Sequence, residues 1–210
     1  MPPDGSGAAA TATNADLLQL AASVEQVRQL AREVMALQGE QRQQAIEAQP
    51  GLGEVFAAAA LLRAAAECLQ SPGDAEQLAE LALELVSRQH ALSLEQRRAL
   101  RLQALTALVR SRHRLGKLDD AEAACRQAVP LLRAVPALSR DRAALLAAQA
   151  QLRWSQGRLD EAAALFGHAA WIWGRDGDRQ RQAASLVQAG FVLLELGIPE
   201  RARPSSSSRT

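Results

Sequence analysis

The chain has 210 residues, 48% of them hydrophobic, enough for one sizeable core or a short array of repeats and too apolar for a disordered protein. Lys and Arg number 24 against 23 acidic residues, a net charge of +1, which excludes a global field for nucleic acid or membrane. Aromatics make up 3% and Tyr is absent, while Ala, Leu, Arg and Gln dominate, all good helix formers.

In chain order, residues 1–13 are small, polar and Pro/Gly-bearing, and read as a disordered N-terminus with no basic start or apolar h-region. Asn14 then suits an N-cap. Leu17, Leu20, Val24, Val27, Leu30, Val34 and Leu37 follow at helical spacing, and Gly39 reads as the stop of that helix. "EQRQQAIEA" forms a short helix ending before Pro50-Gly51, and a long Ala-rich helix runs from about Leu52 to Gln70. Residues 14–70 are thus a helical N-terminal extension. "SPGD" at 71–74 is a turn that starts a further helix to about Gln89.

From there the breaks are periodic. Gly116, Gly157 and Gly197 each close a long helix, 41 and 40 residues apart. "LGKLDDAEAACRQA" from Leu115 is nearly repeated in "QGRLDEAAALFGHA" from Gln156. A fixed period near 40 marks stacked helical hairpins, each of which buries its apolar face only against its neighbours.

These residues resemble the tetratricopeptide (TPR) repeat family. Its unit has a small residue midway along a first helix, Gly at the turn, then Ala, a large residue and Ala along a second helix. The matching residues are Gly116-Lys117-Leu118 with Ala121, Cys125 and Ala128; Ala150, Gly157-Arg158-Leu159, Ala162, Phe166 and Ala169; and Gly190, Gly197 and Ala202. The period is longer than the family's 34, and Val109 takes the small position of the first unit. The resemblance covers residues 74–203. It implies an all-α fold of stacked antiparallel helical hairpins over 71–203, a TPR-like α-solenoid, followed by a disordered tail at 204–210. It also implies a concave groove lined by first-helix residues Gln103, Arg110, His113, Arg114, Gln151, Trp154, Gln188 and Glu195. The family's carboxylate clamp uses Lys and Asn where this chain has Thr106 and Ala107, so that clamp is not expected.

The search for chemistry returns little. His90, His113 and His168 lack ligand-spaced partners, so no metal or cofactor is expected. "GLGEVF" at 51–56 lacks the third Gly and the Lys of a phosphate loop, and "RDGD" at 175–178 reads as a helix-to-helix turn. Asp119-Asp120 and Asp160-Glu161 suit first turns of helices. Cys68 and Cys125 read as core filler in a reducing, cytoplasmic setting. Trp171 and Trp173, two apart, point to different faces of one helix.

Between Glu95 and Lys117 lie seven basic residues, with Glu95 the single acid. Arg110, His113, Arg114 and Lys117 share one helical face by spacing. The expected function is therefore a non-catalytic adaptor, not an enzyme, binding a protein or acidic peptide in a partly basic groove. The alternative is a regulatory or sensor module of a signalling or transcription system. Neither nucleic acid nor membrane is an expected partner. The helix carrying Val187, Phe191, Val192, Leu194 and Leu196 has no full partner after Pro199. That predicts a truncated chain or self-association through the C-terminal helix.

Overall fold

A computed structural model describes residues 29, 33, 36–37, 39–48, 57–68, 70–88, 92–134 and 139–197. The expected disordered ends, nearly all of the helix expected behind Asn14, and the helix expected after Pro199 with Ala202 lie outside the described residues. Among those described, every regular element is an α-helix. They are α1 (Gly39–Ala48), α2 (Ala57–Glu67), α3 (Pro72–Arg88), α4 (Leu94–Arg114), α5 (Leu118–Ala134), α6 (Ser139–Ser155), α7 (Leu159–Arg175) and α8 (Arg179–Glu195). Gly39 opens α1 instead of closing a helix; Glu40 beside it complements the dipole of that first turn. Among the described residues, no helix is long and apolar enough to cross a membrane.

Sharp, repeated joints set the architecture. Gly116, Gly157, Gly177 and Gly197 all have φ between +72° and +78°, the left-handed region that glycine enters without penalty. At the first three the chain closes the same double hydrogen bond. Gly116 N donates to His113 O and Lys117 N to Arg112 O; Gly157 N to Trp154 O and Arg158 N to Arg153 O; Gly177 N to Gly174 O and Asp178 N to Trp173 O. This is the Schellman stop, which satisfies carbonyls that the helix end would leave open. Gly177 falls midway between Gly157 and Gly197, so "RDGD" is the helix-to-helix turn expected of it. α6, α7 and α8 accordingly begin 20 residues apart, at Ser139, Leu159 and Arg179.

Each joint folds one helix back beside the last, so consecutive helices pack along the chain from α2 to α8. Alternate helices also touch, α2 with α4 and α4 with α6. The buried residues follow this stacking. Leu61, Leu81, Leu85, Val86 and Ala104 join α2, α3 and α4 in one cluster. The second half of the expected N-terminal extension therefore shares a core with the helices after it. Leu102, Leu105, Val109, Ala121, Cys125, Ala128, Leu145 and Leu152 join α4, α5 and α6. Ala150, Ala162, Phe166, Ala189 and Val192 join α6, α7 and α8. The small residues of the repeated motif, Ala121, Ala128, Ala150, Ala162 and Ala169, are all fully buried, which lets neighbouring backbones approach closely.

A candidate basic groove

α2, α4 and α6 each place one face along a common groove of about 580 Å³, to which α3 adds Ala75, α7 adds Trp173 and α8 adds Arg181. Small side chains, Ala59, Ala65, Ala107, Ala144 and Ala147, line it together with Trp173. Among the described residues, its lining includes Arg63, Arg110, Arg114, Arg140 and Arg181 against a single acid, Asp141. A surface with balanced charge overall thus concentrates five guanidinium groups in one depression.

Arg110 keeps solvent contact but stands inside the groove, surrounded by protein. That desolvation lowers its pKa, and the like charge of Arg181 lowers it further. Its Nη2 donates to Ala144 O at 3.4 Å, a long contact on α6. Arg181 lies with its guanidinium carbon 4.9 Å over the Trp173 ring, and Nη1 is 3.6 Å from Asp178 Oδ2. Trp173 is 3% exposed and Trp171 is 59% exposed, which confirms that the two rings point to different faces. Asp141 accepts from Gln103 Nε2 at 3.1 Å. Burial raises the Asp141 pKa and outweighs that hydrogen bond, so the one acid in the groove holds its charge less firmly than usual.

The residues expected to line the groove divide. Gln103, Arg110, Arg114 and Gln151 do line it. His113, Trp154 and Glu195 instead tie helices together beside it. His113 Nε2 shares a 2.6 Å hydrogen bond with Ser155 Oγ, joining α4 to α6, and burial lowers its pKa toward the neutral ring. Trp154 Nε1 donates to Glu195 Oε2 at 2.7 Å, joining α6 to α8, while its ring meets Phe166 edge-on at 6.4 Å. Gln188 is half-buried on α8, outside the lining.

The run of basic residues also separates. Lys117 does not share the face of Arg110 and Arg114: α4 ends at Arg114, and the turn at Gly116 swings Lys117 away. Lys117 Nζ donates to Glu76 Oε2 at 2.6 Å, and Arg112 binds Glu76 and Glu80, both on α3. These two cations hold helices together, while Arg110 and Arg114 line the groove. Thr106, at a clamp position of the family, donates its hydroxyl to Leu102 O at 2.8 Å.

Arg63, Arg140, Asp141 and Arg181 are groove residues not singled out from the sequence, whereas Trp173 is singled out there. Arg140 and Arg181 stand near the starts of α6 and α8, which begin 40 residues apart. Arg63 lies in a helix that had been assigned to the extension. No family model matches the chain, and no curated protein is significantly similar to it.

Proposed function

We propose that this chain is a TPR-like array of helical hairpins and works as a non-catalytic adaptor that holds an acidic segment of another protein in the basic groove. The observation that carries this reading is the gathering of Arg63, Arg110, Arg114, Arg140 and Arg181 in one groove, with Asp141 the single acid among its described lining residues. Burial strips water from Arg110 and lowers its pKa, and the like charge of Arg181 lowers it further, so the charged guanidinium is held at a cost. An anionic ligand relieves it. Carboxylates accept the planar fork of a guanidinium in two parallel hydrogen bonds, so each Arg offers a geometric as well as a coulombic match. The small alanines that line the groove leave room for a backbone, and Gln103 and Gln151 offer amides to it.

The test is fluorescence anisotropy of a labelled peptide alternating Glu with small apolar residues, beside its Gln-for-Glu counterpart. The Glu peptide binds and the Gln peptide does not, and affinity falls as salt rises. Arg110→Glu with Arg114→Glu abolishes the binding while far-UV helicity stays unchanged. Equal binding by that variant, at unchanged helicity, rejects the groove as the site. The same pair of baits, taken through a native extract, then identifies the natural partner as the protein retained by the wild type alone.

A further inference from the structure

α8 is apolar on the side that packs and on the side that does not. Its inner face buries Ser185, Ala189 and Val192 against α6 and α7. Its outer face exposes Val187, Phe191 and Leu194 at 55%, 54% and 57%, with Leu186 on the flank at 41%. From Gln182 to Leu194 the helix reads QAASLVQAGFVLL, without one charged residue. A helix that is hydrophobic all round is a buried helix, and an exposed apolar stripe of this kind marks a contact surface.

We propose that this face is covered by a second copy of the same helix, packed antiparallel about a two-fold axis near Gln188. The charges at its two ends select this occupant. Arg181 lies on the groove side one turn before the apolar stripe, and Glu195 lies on the same side just after it. Gln188 stands midway between them. An antiparallel pair centred there places Arg181 next to the partner's Glu195, and Glu195 next to the partner's Arg181. A two-fold interface must be self-complementary in this way, each patch meeting its own copy. Antiparallel packing also sets the two helix dipoles head to tail. A parallel pair would put Arg181 beside Arg181 and Glu195 beside Glu195, which like-charge repulsion opposes. In that register Leu186, Val187 and Phe191 pack around the axis against their copies, and Leu194 packs over the small side chains in the first turns of the partner helix. One helix per protomer is a small interface, so the dimer is of the weak, concentration-dependent class. Because Arg181 also lines the groove, pairing sets the two grooves on the same side of the axis.

The measurement is light scattering with size-exclusion chromatography on the full chain, from low to high micromolar loading, alongside dye binding by ANS. The expected result is a mass rising from 22.5 kDa toward twice that value. Val187→Glu with Phe191→Glu holds the mass at the monomer without loss of helicity, since both side chains are exposed. Arg181→Glu and Glu195→Arg each weaken the dimer, and the two together restore it. A dimer indifferent to Val187→Glu/Phe191→Glu overturns the proposal, because another surface then makes it. A monomer at all loadings overturns it too: with ANS bound, the face waits for a different protein; with none bound, another part of this chain covers it. Peptide binding, read separately on the Val187→Glu/Phe191→Glu variant, keeps the fate of the groove reading distinct.

Discussion

Arg112 Nε donates to Glu76 Oε1 at 3.0 Å, and its Nη2 reaches Glu80 Oε1 at the same distance, so one guanidinium bolts α4 to two successive turns of α3. Glu76 is buried, and Lys117 completes it from beyond the Gly116 turn. Removing Glu76 therefore takes its carboxylate from Lys117 and leaves Arg112 with Glu80 and the Asp120 carbonyl. Glu76→Ala is expected to destabilise the fold by about 2 kcal/mol, read from urea denaturation at neutral pH, with Glu80→Ala costing less because that carboxylate is more exposed. Equal losses for the two would mean that Glu76 contributes no more than a surface pair.

The same carboxylate fixes the acid limb of stability. Burial pushes the Glu76 pKa up, but the hydrogen bonds and charges of Lys117 and Arg112 outweigh it, leaving the pKa below the ordinary 4.5. Glu122 is lowered as well, chiefly by its hydrogen bonds from Arg153. A carboxyl group with a depressed folded pKa stabilises the fold above its unfolded pKa, and that stability is lost as pH falls through the folded value. Unfolding free energy should thus decline as pH drops below about 4.5, and Glu76→Gln should flatten the decline while lowering the neutral plateau. An unaltered acid limb in Glu76→Gln would refute the assignment.

The glycine joints allow a cleaner separation of strain from packing. A methyl group added at Gly157 or Gly177 meets no atom within 4 Å, while φ there is +72° and +78°. Substitution therefore strains the backbone and disturbs nothing else. Gly157→Ala and Gly177→Ala should each cost roughly 1 kcal/mol, and Gly157→Asn less, since Asn tolerates the left-handed region. Thermal denaturation of the three variants checks the order. A Gly157→Asn loss as large as that of Gly157→Ala would point to something other than the dihedral angle.

Those joints explain what was legible beforehand. Gly116, Gly157 and Gly197 mark the hairpins in the sequence because a left-handed helix stop admits few other residues. The alternation of Ala with Leu or Phe follows from close helix packing in the same way. The side chains of the groove were harder to place. Arg110, Arg112 and Arg114 are spaced at two residues, about 200° around a helix, so neighbours in sequence serve opposite sides. Lys117 continued the helical spacing of Arg110 and Arg114 on paper, but the helix had already ended. Trp154 was assigned to the groove by its place in the repeat, yet its partner Glu195 is the residue one repeat later. Links of that kind need two rows of the array side by side, which a single pass along the chain does not show.

The Trp154–Glu195 link is testable by itself. The indole N–H holds α8 to α6 at 2.7 Å, while the ring rests edge-on against Phe166. Trp154→Phe keeps the aromatic contact and removes the donor. It should destabilise the fold by about 1 kcal/mol, with the loss concentrated in α8. Hydrogen exchange reads this directly: amides of α8 lose protection while those of α4 and α5 do not. Uniform loss across the helices would assign the ring, not the hydrogen bond, the larger share.

The two cysteines report on core and groove separately. Cys125 is buried between α4, α5 and α6, and burial, helped by the Glu122 charge, pushes its pKa up to about 11. Only the thiolate is nucleophilic, and at pH 8 roughly one Cys125 in a thousand carries it, behind a packed core. Cys68 is half-buried at the end of α2 and lines the groove. Iodoacetamide should accordingly modify Cys68 in the native protein and Cys125 only after denaturation, with the sites read by peptide mass. The Glu peptide that fills the groove should then slow Cys68 alkylation several-fold, and its Gln counterpart should not. A peptide that binds without shielding Cys68 would have settled elsewhere, which would reject the groove even if its affinity followed the salt dependence expected of arginine contacts.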